Sequence, residues 1–417
     1  MSKNIIIIGA GAIGLSCALH CVRKGHRVTV IERNDAVRDG CSFGNAGMIV
    51  PSHFVPLAAP GMVKLGLKMM WHPESPFYIK PRFDGDLLDW GFKFWKAANA
   101  GHVRHSAPLL RDLSFASRAL FEELAAQNDN RFGLVTRGLL MLCQTQHGLD
   151  DEAKFAAHAN ALGVPAEVLD AKQTAKLDPG VTMDVMGAVY FPKDAHFTPD
   201  RYVELLQALA EKLGVGFKWN TEVTGLEMSG GKINALETLH GELFADEIIL
   251  CGGSWSPQLA RELGLKIPIQ AGKGYSLTLP QPRELPQLCS IFTEARMAVT
   301  PMGSSLRFGG TMEISGLNES ISAVRVQGII KSAVKLFPKF TPADFESIQP
   351  WCGLRPCSPD GLPYLGRTQK FSNLVLATGH AMMGMSLSPI TGKIVSEIVS
   401  GEKPAFELSQ LSPDRYA

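Results

Sequence analysis

The chain of 417 residues lacks a charge bias, with 41 Lys plus Arg against 40 Asp plus Glu. Nothing in that balance steers it to a polyanion. No basic run or aromatic–basic module appears, so nucleic acid is set aside as a partner. A long apolar run is also lacking: no stretch after the N-terminus reaches the ~18–20 uninterrupted apolar residues of a membrane-spanning helix. There is no CxxC pair, and eight cysteines in so long a chain make no disulfide framework. A zinc site is therefore not expected, and no metal is assigned. The cysteines read as small buried apolar residues in a reducing compartment, which points to the cytoplasm. Internal repeats and low-complexity segments are missing too.

What is present is a globular composition, 45% hydrophobic and 19% charged. The length suits about two or three domains. The start, MSKNIIIIGAGAIGLSCALHC, has the outline of a signal peptide, but its glycine spacing favours a strand, a turn and a helix. Asn4 to Ile8 is a continuous apolar run of the kind buried on both faces of a parallel sheet. GAGAIG follows, then a helical stretch up to Gly25, then a second strand from Arg27 to Ile31. Glu32 closes that strand, 18 residues beyond Gly14. Gly9 permits the tight turn, Gly11 lets backbone approach a pyrophosphate, and Gly14 lets helix and strand pack closely. The helix N-terminus offers free N–H groups to phosphates, and Glu32 can accept hydrogen bonds from ribose hydroxyls. A dinucleotide site is expected here, without a choice between FAD and a nicotinamide cofactor.

After Glu32 the pattern turns irregular. GNAGM, Gly44 to Met48, sets two glycines about Asn45, where backbone can approach a flat ligand. Phe54 to Trp71 is apolar but broken by Pro56, Pro60, Lys64 and Lys68. It reads as a lid or subdomain wall, with peripheral contact on the inner face of the cell membrane left open. Helices are expected over His102 to Gln127, over Asp151 to Leu162, and from Pro199 behind a Thr198 cap. EIILCGGS, from Glu247, and NLVLAT, from Asn373, are two more apolar strands that end in glycine turns. The expected fold is α/β: a discontinuous Rossmann-like nucleotide domain with an inserted antiparallel-sheet domain. The first takes residues 1–80, 198–262 and 350–417, and the second takes 81–197 and 263–349. GLRPCSPDGLPYLGR, Gly353 to Arg367, is too rich in glycine and proline for a long helix or a central strand. It reads as a rigid loop that carries Arg355.

Taken together, GAGAIG with Glu32, SFGNAGM, CGGSWS, GLRPCSPDGLPYLG, ATGH and GMS resemble the FAD-dependent oxidoreductases of the D-amino-acid oxidase superfamily. Within it the chain is most similar to bacterial D-amino-acid dehydrogenases, over nearly its whole length. The resemblance implies FAD and an amino- or imino-acid substrate that gives hydride from its α-carbon to flavin N5. An imine and then a keto acid result. It implies a cofactor set of Gly9, Gly11, Ala12, Ile13, Gly14, Glu32, Arg33, Ser42, Asn45, Ala46, Gly47, Met48, Val223, Cys251, Gly252, Gly253, Gly379, Gly384, Met385 and Ser386. Arg355 would clamp the substrate carboxylate, since a guanidinium fork binds it through two bonds. The competing reading pairs Arg355 with Asp360. Tyr275 and His380 are candidates beside the reacting atoms, and His53 and Met382 are candidate pocket residues. Relatives that bind flavin covalently do so through a cysteine aligned with Gly353, so FAD is expected to be non-covalent. Electrons would pass to a quinone or dye-like acceptor. An oxidase of glycine or sarcosine type using O2, and a non-catalytic FAD-binding subunit, are the alternatives.

Overall fold

The computed structural model describes residues 1–69 and 75–417. Its first sheet follows from the isoleucine run Asn4–Ile8, which is apolar on both sides because both sides are covered. Ile5 and Ile7 pack toward helices Ala12–Arg23 and Ser388–Val399, while Ile6 packs against Ile233, Leu236 and Ala260 opposite. Six strands order as Tyr364–Arg367, Leu374–Thr378, Glu247–Leu250, Asn4–Ile8, Arg27–Ile31 and Gly216–Lys218. All neighbours are parallel except the first pair, which is antiparallel. The two helices cross closely: a Cβ on Gly392 would lie 2.5 Å from the Ser16 backbone.

The second sheet is larger and mostly antiparallel. Its order is Trp351–Cys357, Gln270–Leu279, Ser305–Ile314, Met297–Met302, Cys289–Phe292, Leu139–Cys143, Gly187–Phe191 and Glu167–Asp170. Phe77–Ile79 adds a short parallel pairing to the end of Ser305–Ile314. Helix Ala323–Leu336 covers one face, with Tyr275, Leu277, Phe308, Ile329 and Phe337 in a common core. Two stretches expected with the nucleotide-binding part, residues 77–79 and 351–357, lie in this sheet instead. The stretch read as a loop begins as a strand. Pro356 is tolerated there because Trp351–Cys357 is the outermost strand of the sheet, and beyond its pairing with Gln270–Leu279 it is bridged only at Cys357, by His380.

Between the sheets, Met48–Ile49 pairs with Ala195–His196. Helix Ala100–Gln127 matches the span expected from His102 to Gln127, beginning two residues earlier. Helix Gln146–Ala161 starts earlier than expected because the Thr145 hydroxyl caps it at the Gly148 amide. Pro199–Lys212 starts at its proline, but the Thr198 hydroxyl makes no capping bond. Of the apolar segment from Phe54, the first part is core: Phe54 stacks on Phe155, and Ala58 is fully buried. Met62–Met69 is a helix, and Trp71 lies outside the described residues. Among the described residues, no helix is long and apolar enough to cross a membrane.

Candidate active site

At the C-terminal ends of the parallel strands lies a cavity of about 740 Å³, whose lining also takes in Leu354, Arg355 and Pro356. That volume is within the roughly 300–1,000 Å³ usual for ligand sites. One wall is built locally. Gly9 has φ of 108°, a conformation that glycine adopts without strain, and a Cβ there would sit 2.6 Å from the Cys251 carbonyl oxygen. A Cβ on Gly14 would come within 1.9 Å of the Gly9 oxygen. Both glycines are thus required by packing. Gly11 differs: a Cβ there would meet only the Ser42 hydroxyl, at 3.5 Å, and otherwise faces the cavity. Gly11 caps helix Ala12–Arg23 without a side chain, so its first turn has amides to offer a phosphate. One of them, from Ala12, donates to Ser42 Oγ at 3.0 Å. Glu32 lines the cavity and accepts from the Ala10 amide at 2.8 Å. This set of amides, a clear glycine and a carboxylate at the second strand end fits the pyrophosphate and ribose of FAD.

The sequence did not single out Arg38, which lines the same wall. Its guanidinium donates to the Ala10 carbonyl at 3.0 Å and lies 4.6 Å from the Trp219 ring centre. Its position in the irregular ERNDAVRDG stretch gives no periodic signal. Arg33 stacks on Trp255 at 3.8 Å.

The opposite wall is assembled from distant strands. Arg355 stands in register with Gly272, and its guanidinium lies over Gly274, where a Cβ would come within 2.1 Å of it. It donates to the Thr311 carbonyl at 3.0 Å and has no carboxylate partner among the described residues. The competing assignment to Asp360 is excluded: Asp360 is held by Arg415 through bonds of 2.7 and 3.0 Å. Burial raises the Asp360 carboxyl, but the Arg415 charge and its hydrogen bonds outweigh that and hold it below the usual range. Thr311 itself has φ of 66°, a strained value for a β-branched residue, of the kind that gathers at functional sites. Arg307, also not foreseen, donates to the carbonyls of Phe43 and Asn45 at 3.0 and 2.7 Å. It ties the glycine segment to the larger sheet. A lone arginine between Leu306 and Phe308 was the available signal.

The candidates divide as follows. Ala12, Ile13, Arg33, Ser42, Asn45, Val223, Cys251, Gly252, Gly253, Gly384 and Met385 line the cavity with Gly9, Gly11 and Glu32. Gly14, Ala46, Gly47, Met48, Gly379 and Ser386 stand behind that lining. The close approach foreseen for Gly44 exists, but its neighbour is the Trp351 indole, which a Cβ on Gly44 would meet at 2.0 Å. His380 lines the cavity, yet its Nε2 is within 3.0 Å of the Thr391 hydroxyl, and burial pushes its pKa down to about 3. It is neutral at ordinary pH. Tyr275 is not in the lining. It faces the helix-covered side of the sheet, where its hydroxyl donates to Glu313 at 2.8 Å, beside Lys273 and Arg325. His53 belongs to a separate cluster, Ser52–His53–Asp194, with its pKa lowered to about 4 by burial. Met382 is 48% exposed and outside the lining. Arg367, without a role in the sequence reading, forms an ion pair with buried Glu247 at 2.8 Å.

Comparison with known proteins agrees with this geometry. Residues 4–398 match the family model described as FAD dependent oxidoreductase. The chain is 33% identical to a D-amino acid dehydrogenase of Agrobacterium fabrum, over 99% of this chain and all of that one. It is 32% identical to the D-amino acid dehydrogenase of Granulibacter bethesdensis, with the same coverage. Among solved structures, glycine oxidase from Geobacillus kaustophilus superposes with a TM-score of 0.80 at 24% identity, covering 100% of this chain and 99% of that one. Iminodiacetate oxidase from Chelativorans sp. BNC1 does so at 0.73 and 22%, covering 98% of each. The fold, the cofactor wall and the full-length match together establish that the chain belongs to the FAD-dependent oxidoreductases, with FAD as its cofactor.

Proposed function

We propose that this enzyme oxidises a D-amino or imino acid and passes the electrons to a quinone or another acceptor in place of O2. The observation that carries the proposal is Arg355, a cation in the lining of the cavity that also holds the cofactor motif, with no protein carboxylate to neutralise it among the described residues. One guanidinium edge is fixed by the Thr311 carbonyl, which leaves other N–H groups for a ligand carboxylate. The D-amino-acid preference follows the names of the full-length relatives.

FAD, when bound, supplies the acceptor for the hydride at its N5. The chain's own residues bind and orient. Arg355 fixes the carboxylate, and side-chain-free Gly274 beneath the guanidinium lets it lie flat on the sheet. Positioning of this kind can supply much of the rate without a dedicated base. His380 is neutral and bound to Thr391, so it carries no proton to or from the substrate near neutral pH. The amine must be uncharged to form the imine, so kcat/KM should rise with pH as the substrate ammonium loses its proton. Water then hydrolyses the imine to the keto acid.

The FAD is held without a covalent bond. Cys41 is a thiol on the cavity lining that the sequence reading passed over, and burial raises its pKa away from the reactive thiolate. Cys357 is pushed up to about 12. Acid precipitation should therefore leave the yellow colour in the supernatant.

The decisive experiment is Arg355→Ala, assayed on both enantiomers of an amino-acid panel with a dye acceptor. Loss of one partner of a buried charge pair predicts a fall in kcat/KM of about 10²–10³. FAD content and melting temperature should be unchanged. Near-normal kcat/KM in that variant would remove the carboxylate clamp. Hydrogen peroxide formed in step with substrate loss would replace the dehydrogenase reading with an oxidase.

A further inference from the structure

Thr311 is unfavourable twice over. Its φ of 66° lies in the left-handed region, which glycine takes freely and a β-branched residue does not. Its Oγ1 is buried and has no hydrogen-bond partner among the described residues. Thr311 alone among them joins a positive φ outside glycine to an unpartnered buried side-chain atom. A buried hydroxyl without a partner has given up its bond to water for nothing, so its presence calls for a reason.

The strand pairing shows how the residue comes to stand so. Lys273 pairs with Glu313 and Tyr275 with Gly310, so Thr311 and Met312 together oppose Gly274 alone. That is a β-bulge, a device that re-aims a side chain and is common beside active sites. One usual form of it takes glycine at the left-handed position, where this chain has Thr311. The bulge brings the Thr311 carbonyl to the Arg355 guanidinium, at 3.0 Å, over Gly274. Strand residues alternate faces, so Gly274 and Ser276 share the face of Arg355. Ser276 donates there to the Gly44 carbonyl at 3.1 Å. Gly309 pairs with Ser276, and Thr311 follows two residues on. A Cβ on Gly309 would meet nothing closer than 3.9 Å, so the floor beside Thr311 is open. Thr311 as a whole is only partly buried.

We propose that the Thr311 hydroxyl is a second donor to the substrate carboxylate, beside Arg355. Arg355 offers the carboxylate the N–H groups that the Thr311 carbonyl leaves free. The hydroxyl belongs to the same residue, so it stands next to a carboxylate bound on that fork. A turn about χ1 to another staggered rotamer, as the carboxylate arrives, gives Oγ1 the partner it lacks within the chain. A hydroxyl that donates to a charged acceptor makes one of the stronger hydrogen bonds. The third bond would fix how the carboxylate is tilted on the guanidinium, and with it where the α-carbon lies. The proposal rests on Arg355 as the carboxylate clamp.

The test titrates the holoenzyme with benzoate, a carboxylate with no α-amine to oxidise, and follows the flavin absorbance. Thr311→Val keeps the shape and the backbone strain and removes the hydroxyl. Its Kd for benzoate should rise about tenfold or more, and kcat/KM on the amino acid should fall with it. Its melting temperature should not drop, because the lost hydroxyl had no partner in the chain. Thr311→Ser, which restores the hydroxyl, should recover most of the affinity. Thr311→Gly removes hydroxyl and strain together and should show the same loss as valine, so it decides if the valine variant fails to fold. Benzoate bound as tightly by Thr311→Val as by the parent would overturn the proposal. So would a serine variant as weak as the valine one. Arg355→Ala in the same titration separates the two readings. If it loses benzoate while Thr311→Val does not, only the Thr311 proposal falls. If it binds benzoate like the parent, the clamp falls and the Thr311 proposal with it.

Discussion

The two walls of the cavity are made in different ways. The cofactor wall comes mostly from one continuous stretch, Ile8 to Ser42, whose parts touch each other: Gly14 against Gly9, Glu32 on Ala10, Ser42 on Ala12. The Arg355 wall joins Gly272 and Gly274, Thr311 and Arg355 across three strands, and residues far apart in sequence become neighbours only through sheet register. A locally built wall tolerates little change at Gly9 or Gly14, where an added Cβ would strike neighbouring backbone. A wall built at long range depends instead on the pairs that frame it.

The strongest test of that contrast sets two arginines against each other. Arg415 and Asp360 are both largely buried and bonded at two points, and Arg415 also caps the carbonyls of Leu362 and Pro363. Arg415→Ala would leave a buried carboxylate without its partner, at a cost of about 3–5 kcal/mol. The expected outcome is a large fall in the denaturant midpoint, with kcat/KM of the remaining folded enzyme nearly kept. Arg355→Ala should do the reverse. If Arg415→Ala left stability intact and removed activity, the roles of framing and working arginine would be exchanged.

The cofactor wall gives the next contrast. At Gly14 a methyl group would overlap the Gly9 backbone, which cannot yield without opening the turn. Overpacking of this kind costs about 1–3 kcal/mol. Gly14→Ala should therefore lower the melting temperature and the bound flavin together. Gly11→Ala meets only open cavity and a hydroxyl. It should leave the apo-protein melting temperature within about 1 °C and weaken FAD alone, measured by flavin titration of the apo-protein. Equal losses of stability in both variants would break the division of roles between the two glycines.

The same contrast explains what could be read before the fold was known. The parallel sheet was legible because Asn4–Ile8, Glu247–Leu250 and the NLVLAT run are apolar on both faces, and each ends in glycine. Arg355 was legible through its resemblance-bearing motif, but its strand was taken for a loop, since Pro356 hides an edge pairing that needs no amide there. Tyr275 was misdirected for a related reason. Strand residues alternate faces, and only the pairing with Gly310 and Cys352 puts its ring on the helix side. Asp360 looked like the natural partner of Arg355 at five residues' distance, and Arg415, 55 residues away, takes it. Ion pairs formed at long range leave no spacing to read.

The seam between the walls supplies the smallest effect and a pH signature. Asp194 is fully buried and accepts from the amide and hydroxyl of Ser52, next to the Met48–Ile49 and Ala195–His196 pairing. Burial pushes its carboxyl up to about 7, and the Ser52 bonds and the Arg118 charge offset this only in part. In the unfolded chain the value is about 3.9. Between these values the folded protein binds more protons than the unfolded one, so stability falls as pH rises through that window and levels off above about 7. Asp194→Asn keeps an acceptor for the Ser52 amide and abolishes the ionisation. In the parent, the Asp194 contribution lowers the melting temperature at pH 8 relative to pH 5. In the variant that difference should shrink by about 2 °C or more, read by thermal unfolding at both pH values. An unchanged difference would mean that Asp194 ionises as freely inside the seam as in water, and that the seam is wetter than its packing indicates.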